Sequence, residues 1–331
     1  MTLVRVIKNW DWPDLMRQTP GENGVWDGIQ FTTKPVKECD YAIILNQAIE
    51  YTSFYCPSEH VWAIMQEPPN EFRASLHRGH TCYSRIYTSD DHLHGVQYIN
   101  SYPALPWHVN KNYDFLIRCG VPNKDRNLSW ITSNLSISRG HRGRLSFLER
   151  VRSELKFDLY GRGFSPIEDK WSGLAPYRYS IVVENFRNKY YWSEKLADCF
   201  LAWTLPIYCG ASRIPEFFPP GAVFPIDIDD PLVVKKIKEV ISGDLWQRSA
   251  DAIGQAREFV LNKYQFFPFV TQQITEHEQI DCTGKHTPEK IILPYEPRHP
   301  ISLKEKALYM ARLSIPKHVN VMRESIRRLF K

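Results

Sequence analysis

Residues 177–210 read YRYSIVVENFRNKYYWSEKLADCFLAWTLPIYCG, and their order decides the fold class. Tyr179–Val183 is rich in β-branched and aromatic residues and stops at the polar pair Glu184-Asn185, the pattern of a buried strand with polar groups at its carboxyl end. A loop carrying Arg187, Lys189, Tyr190 and Tyr191 follows. Ser193-Glu194-Lys195 then opens a helix, with Ser193 as a natural N-cap and apolar residues at 196, 197, 200, 201 and 203. Pro206–Cys209 is the next apolar run, ending at Gly210-Ala211-Ser212. Strand, helix and strand in this order predict a parallel pair with a crossover helix.

The same grammar extends in both directions. Short runs read as strands at Leu3–Ile7, Tyr41–Leu45, Val61–Met65, Ser84–Thr88, Trp130–Ser133, Phe157–Tyr160 and Val223–Ile228. Helical periodicity lies over Arg144–Leu155 and Leu232–Ile241. Cys119–Asn127 is polar, carries Gly and Pro, and separates two strand-rich halves. Two α/β units facing each other are therefore expected, with a ligand in the cleft outside the carboxyl ends of the strands. The expected division is 1–125, 126–285 and a C-terminal tail 286–331.

Composition narrows the function classes. The 331 residues are 43% apolar, enough to bury a core, so disorder as the main state is excluded. The net charge of +5 suits an anionic ligand and falls short of a dedicated nucleic-acid binder. No run approaches the ~20 apolar residues that span a bilayer. Met1–Asp11 holds no segment of signal-peptide length, and Met1 reads as a native start, so a soluble, cytoplasmic chain is expected. The seven cysteines are widely spaced with no CxxC pair, which reads as free thiols in a reducing compartment. His92 and His94, the most closely spaced histidine pair in the sequence, read as a solvated loop, and no metal site is expected.

The chemistry concentrates where the helix begins. Helix N-termini attract phosphate, and Lys195 with Arg187 nearby adds positive charge. Glu194 is placed to accept hydrogen bonds from ribose hydroxyls. The combination suggests a diphosphate-linked ligand. Taken alone, the same three residues read as a cap beside a surface ion pair.

The wider stretch resembles glycosyltransferase family 10, the α-1,3/1,4-fucosyltransferases. The elements that match are Tyr177-Arg178-Tyr179, Glu184-Asn185, Tyr191-Trp192-Ser193-Glu194-Lys195, Thr204-Leu205-Pro206-Ile207-Tyr208-Cys209-Gly210, Phe218-Pro219-Pro220 and Asp227-Ile228-Asp229-Asp230, over roughly Arg144–Asp230. The resemblance implies a GT-B fold: two Rossmann-like domains, with the nucleotide sugar held by the second. It implies that Glu194 holds the donor ribose, Lys195 and Arg144 the diphosphate, and that Tyr191, Glu184 and Asn185 lie near the donor. Glu67, in Gln66-Glu67-Pro68-Pro69 after the strand Val61–Met65, matches the family's proposed general base. Phe186 stands where the family usually has Ser, Trp203 where many members have Gly, and Ser193 replaces Thr.

The implied reaction is inverting transfer of fucose from GDP-fucose to a hydroxyl of a glycan acceptor, with no cofactor or metal required. Asp227-Ile228-Asp229 reads as a structural or donor-side feature. Alternatives are another nucleotide sugar in the same fold, or an inactive glycan-binding protein. Residues 317–331 carry basic residues and an apolar stripe at helical spacing. They are read as a helix packing back on the first unit, with peripheral membrane contact as the alternative use.

Overall fold

The computed structural model describes residues 1–69, 79–280 and 286–294. The segment 317–331, read as a helix from the sequence, lies outside the described residues.

The first sheet is built from β1 (Leu3–Lys8), β2 (Val25–Trp26), β3 (Ile29–Thr32), β4 (Tyr41–Leu45), β6 (Val61–Ile64), β7 (Arg85–Thr88) and β8 (Tyr98–Asn100). Its order is β2-β3-β1-β4-β6-β7-β8, parallel except for the β2–β3 pair. Strand β4 is buried along its whole length, as parallel strands covered on both faces are. Its side chains alternate between layers. Tyr41, Ile43 and Leu45 join one core cluster, and Ala42 and Ile44 join another. Strand β5 (Thr52–Cys56) stands apart and pairs antiparallel with β14 (Glu289–Leu293).

The short helix α1 (Tyr113–Arg118) precedes the second sheet. That sheet contains β9 (Arg126–Ile131), β10 (Asp158–Tyr160), β11 (Tyr177–Val183), β12 (Leu205–Cys209) and β13 (Phe224–Pro225), in the order β10-β9-β11-β12-β13, all parallel. Helices α2 (Arg139–Arg152) and α5 (Val233–Ser242) cover one face through Phe147, Leu148, Val151, Val233, Val234 and Ile237. Helix α3 (Glu194–Leu201) covers the other through Leu196, Ala197, Phe200 and Leu201. Two facing α/β units with parallel sheets are the GT-B architecture. In the second sheet the chain leaves β9 for β10 on one side and returns to β11 on the other. The carboxyl ends of β9 and β11 therefore flank a topological switch point, where ligands bind in open α/β sheets.

After α4 (Ile214–Phe217), α6 (Leu245–Arg248) and α7 (Ala250–Phe259), a π-helical turn at Val260–Tyr264 leads into α8 (Phe266–Ile280). Helix α8 already packs on the first sheet, with Phe267 5.0 Å from Phe31 and Phe269 5.3 Å from Tyr87, ring centre to ring centre. The return to the first unit thus begins before residue 286, because the aromatic run opening α8 supplies the apolar face that the first sheet needs. The described part of the expected helical tail is the strand β14. Its Ile-Ile-Leu run completes the apolar layer beside β5 through Ile291 and Leu293. Trp203 takes φ +59° just past the end of α3, a left-handed position that favours glycine. The Trp ring held there lies 5.4 Å from the Arg257 guanidinium.

Asp198, 1% exposed on α3, holds the segment joining the two sheets. It accepts from the amides of His108 (2.7 Å) and Val109 (3.2 Å) and from Lys170 Nζ (2.9 Å). Asp198→Ala leaves buried donors without an acceptor and should cost about 3–5 kcal/mol in urea unfolding. A loss below about 1 kcal/mol would show that the segment is held elsewhere.

Candidate functional site

The site grows from the carboxyl end of β11. Glu184 is buried there, and its carboxylate serves the start of α3. Oε1 accepts from Ser193 N at 2.8 Å, and Ser193 Oγ lies 2.9 and 2.8 Å from the two carboxylate oxygens. Lys195 Nζ donates to Ser193 Oγ at 2.9 Å and to Glu184 Oε2 at 3.3 Å. Ser193 is the N-cap, as its sequence position predicts. Glu184 therefore acts here as a positioning residue for α3, with its side chain shielded from solvent.

The next residue ties α2 to this loop. Asn185 Oδ1 accepts from Arg144 Nη1, and Arg144 Nη2 reaches Ser133 O and Oγ, each at 3.1 Å. Arg144 is only 3% exposed, and its Nε has no hydrogen-bond partner among the described residues. Burial lowers its guanidinium to about 10, with Glu184 acting in the opposite sense. Gly140 permits this contact, since a Cβ there would lie 1.7 Å from the Asn185 carbonyl oxygen. His141 closes a capping box with Ser138. Its pKa is lowered to about 4 by burial, then by Arg144 and Lys195.

Glu194 faces three basic groups: Lys195 at 3.4 Å, Lys170 at 3.6 Å and His108 at 3.8 Å. Burial pushes its carboxyl up, but Lys195, Lys170 and His108 outweigh that and hold it well below the usual range. Burial likewise pulls Lys195 down, and Glu184 and Glu194 more than restore its positive charge. His108 is lowered to about 4 by burial and then by Lys170. His108, His141, Lys170 and Asp198 were not singled out by the sequence. His108 and Lys170 reach the site through tertiary contacts, whereas Asp198 follows Glu194 by one turn of α3 and His141 precedes Arg144 on α2.

Tyr191 is buried, its amide donating to Asn188 Oδ1 at 2.7 Å and its ring edge-on to Phe186 at 6.4 Å. Burial, then Glu184, Glu194 and Glu67, raises its phenol well above the usual range. Glu67 lies just past β6 of the first sheet, where its amide and that of Gln66 donate to Asn46 Oδ1 at 3.2 and 2.8 Å. Asn188 Nδ2 donates to the Ser89 carbonyl, and Lys189 meets Asp91 at 3.1 Å, further ties across the cleft. Arg187, expected beside the phosphate position, is instead turned to Asp227 (3.3 Å) and Asp229 (3.0 Å), because those exposed carboxylates supply the nearer negative charge.

The depressed histidines set a pH dependence. Unfolded, His108 and His141 bind protons near pH 6.5, whereas folded they stay neutral down to about 4. Stability is therefore lost as pH falls from 6.5 towards 4, at most ~1.4 kcal/mol per pH unit for each ring. Urea unfolding between pH 6.5 and 4.5 should show this decline. The His108→Gln, His141→Gln double variant should flatten it, and an unchanged slope would contradict the assignment.

Residues 121–242 match the family model described as "Glycosyltransferase family 10 (fucosyltransferase) C-term". A 173-residue stretch is 24% identical to 4-galactosyl-N-acetylglucosaminide 3-alpha-L-fucosyltransferase of Homo sapiens, covering 50% of this chain and 45% of that protein. The 3-galactosyl-N-acetylglucosaminide 4-alpha-L-fucosyltransferase of Pan troglodytes is also 24% identical, over 50% of this chain and 44% of that one. The chain thus spans less than half the length of these relatives. Among solved structures, an alpha1,3-fucosyltransferase is similar at 13% identity and a TM-score of 0.48, covering 80% of this chain and 91% of that one. The family model is seated on β9 to α5, the sheet and helices that carry Arg144, Glu184, Asn185, Glu194 and Lys195, and it is in this second unit that the chain is similar to glycosyltransferase family 10.

Proposed function

We propose that this chain transfers fucose from GDP-fucose to a hydroxyl of a glycan acceptor, with inversion at the anomeric carbon. The observation that carries the reading is the convergence of Arg144, Glu194 and Lys195 at the switch point of the second sheet. The similarity of residues 121–242 to the fucosyltransferase family model supports the sugar-transfer chemistry.

In this reading the ribose hydroxyls donate to Glu194, which is kept ionised and so remains a strong acceptor. The diphosphate sits between the start of α3 and the Arg144 guanidinium. As the bond from the anomeric carbon to the diphosphate breaks, negative charge grows on the leaving oxygen. Lys195 and Arg144 stabilise it in a site closed to most solvent. No metal is required for that step. Glu67 takes the acceptor hydroxyl proton as the oxygen attacks. Glu184, Asn185 and Tyr191 hold the loop that positions these groups.

Two variants divide the labour. Lys195→Ala removes a charge-assisted phosphate contact and should weaken GDP binding by about 1.5–3 kcal/mol in calorimetry. Glu67→Gln should leave GDP affinity nearly unchanged and cut turnover of GDP-fucose by about 10²–10⁴-fold. Wild-type GDP affinity in a folded Lys195→Ala protein would remove the donor assignment. Wild-type turnover in folded Glu67→Gln would remove the base. A glycan-binding protein without activity would show no turnover to lose.

A further inference from the structure

At the amino ends of the first sheet's strands, away from the cleft, Glu59, His60 and His286 come together. One carboxylate oxygen and one ring nitrogen from each histidine lie within 4.8 Å of one another. His60 is 6% exposed and stacks on Tyr41, with ring centres 4.1 Å apart. Its Nδ1 is 2.8 Å from the Asp40 carbonyl oxygen. A carbonyl only accepts, so the proton is on Nδ1 and Nε2 carries a lone pair. That Nε2 is buried and has no hydrogen-bond partner among the described residues. Buried polar atoms are rarely left so. An imidazole fixed through one N–H to a backbone carbonyl, with the other nitrogen open, is how metal-binding histidines are oriented.

The other two groups are held beside it. The His286 ring centre is 4.3 Å from that of His60, and its Nδ1 contacts Glu59 Oε1. The Glu59 turn is fixed by its carbonyl, which accepts from Trp62 Nε1 at 2.9 Å and Ser84 Oγ at 2.6 Å. The Glu59 side chain is 44% exposed, which leaves room for a water as a further ligand.

We propose that Glu59, His60 and His286 form a zinc site that fastens the chain beyond α8 to the first sheet. Two imidazoles and a carboxylate are a donor set that zinc accepts, with water completing a tetrahedron. The position argues for a structural role. Glu59 and His60 precede β6, whereas Glu67 follows it at the opposite end. His286 lies just before β14, whose Glu289 pairs with Cys56 of β5. The ion and the strand pairing are two fasteners on one segment, and the ion bridges residues far apart in the sequence.

The test is calorimetric titration of zinc sulfate into the full chain after chelator treatment, with a melting curve at each end point. One ion per chain and a raised melting temperature are expected. His286→Gln, at a partly exposed position that spares the core, should weaken zinc binding by about tenfold or more, as should Glu59→Gln. Cobalt in place of zinc should give ligand-field bands without thiolate charge transfer. No saturable binding, wild-type affinity in a natively folded His286→Gln protein, or thiolate bands would each overturn the proposal.

Discussion

The structure depends on a carboxylate buried at the end of a parallel strand. A carboxylate buried there needs hydrogen-bond donors, and Ser193 and Lys195 supply them at the start of α3. This requirement fixes where α3 starts and how it enters the sheet. It also explains two bare positions. A Cβ on Gly210 would meet the Tyr208 hydroxyl at 2.1 Å and Glu184 Cγ at 2.7 Å, and one on Gly140 would strike the Asn185 carbonyl. Glu184, its neighbours and the two helix starts form one packed unit, and Arg144 is clamped to it through Asn185.

The charges around this unit are nearly balanced. Glu184, Glu194 and Asp198 face Lys195, Lys170 and Arg144, while His108 and His141 are kept neutral. In the proposed function an incoming diphosphate competes with carboxylates for Lys195 and finds Arg144 already oriented. The cost of assembling the cations is thus met in folding and not at binding, which is the preorganisation that stabilising a leaving group requires.

Much of the second unit was legible because its signals are local. Tyr179–Val183, the Ser193 cap and Pro206–Cys209 sit within the observed β11, α3 and β12, and the helix over Arg144–Leu155 begins earlier, at Arg139, where Ser138 provides the cap. The first unit was readable at β1, β4, β6 and β7 but not at β2, β3, β5 or β8, which are short or placed by partners distant in sequence. The predicted strand Val223–Ile228 shrinks to Phe224–Pro225, an edge pair beyond which one bond, from Ile226 N to the Tyr208 carbonyl, still reaches β12. Site residues that belong to the motif could be named. His108 and Lys170 could not, because only tertiary packing brings their segments to α3. The Glu59, His60 and His286 cluster has the same origin: His286 is separated from the adjacent Glu59 and His60 by most of the chain, and no spacing announces it.

The central claim is that the switch point beside Glu184 is a site for a guanosine diphosphate sugar. Its most direct test is the melting temperature of the full chain with GDP, UDP, CMP and dTDP at equal concentrations. Selective stabilisation by GDP is expected, reaching about 2.7 kcal/mol at a concentration 100 times its dissociation constant. Equal or greater stabilisation by UDP, or none by any of the four, would contradict it.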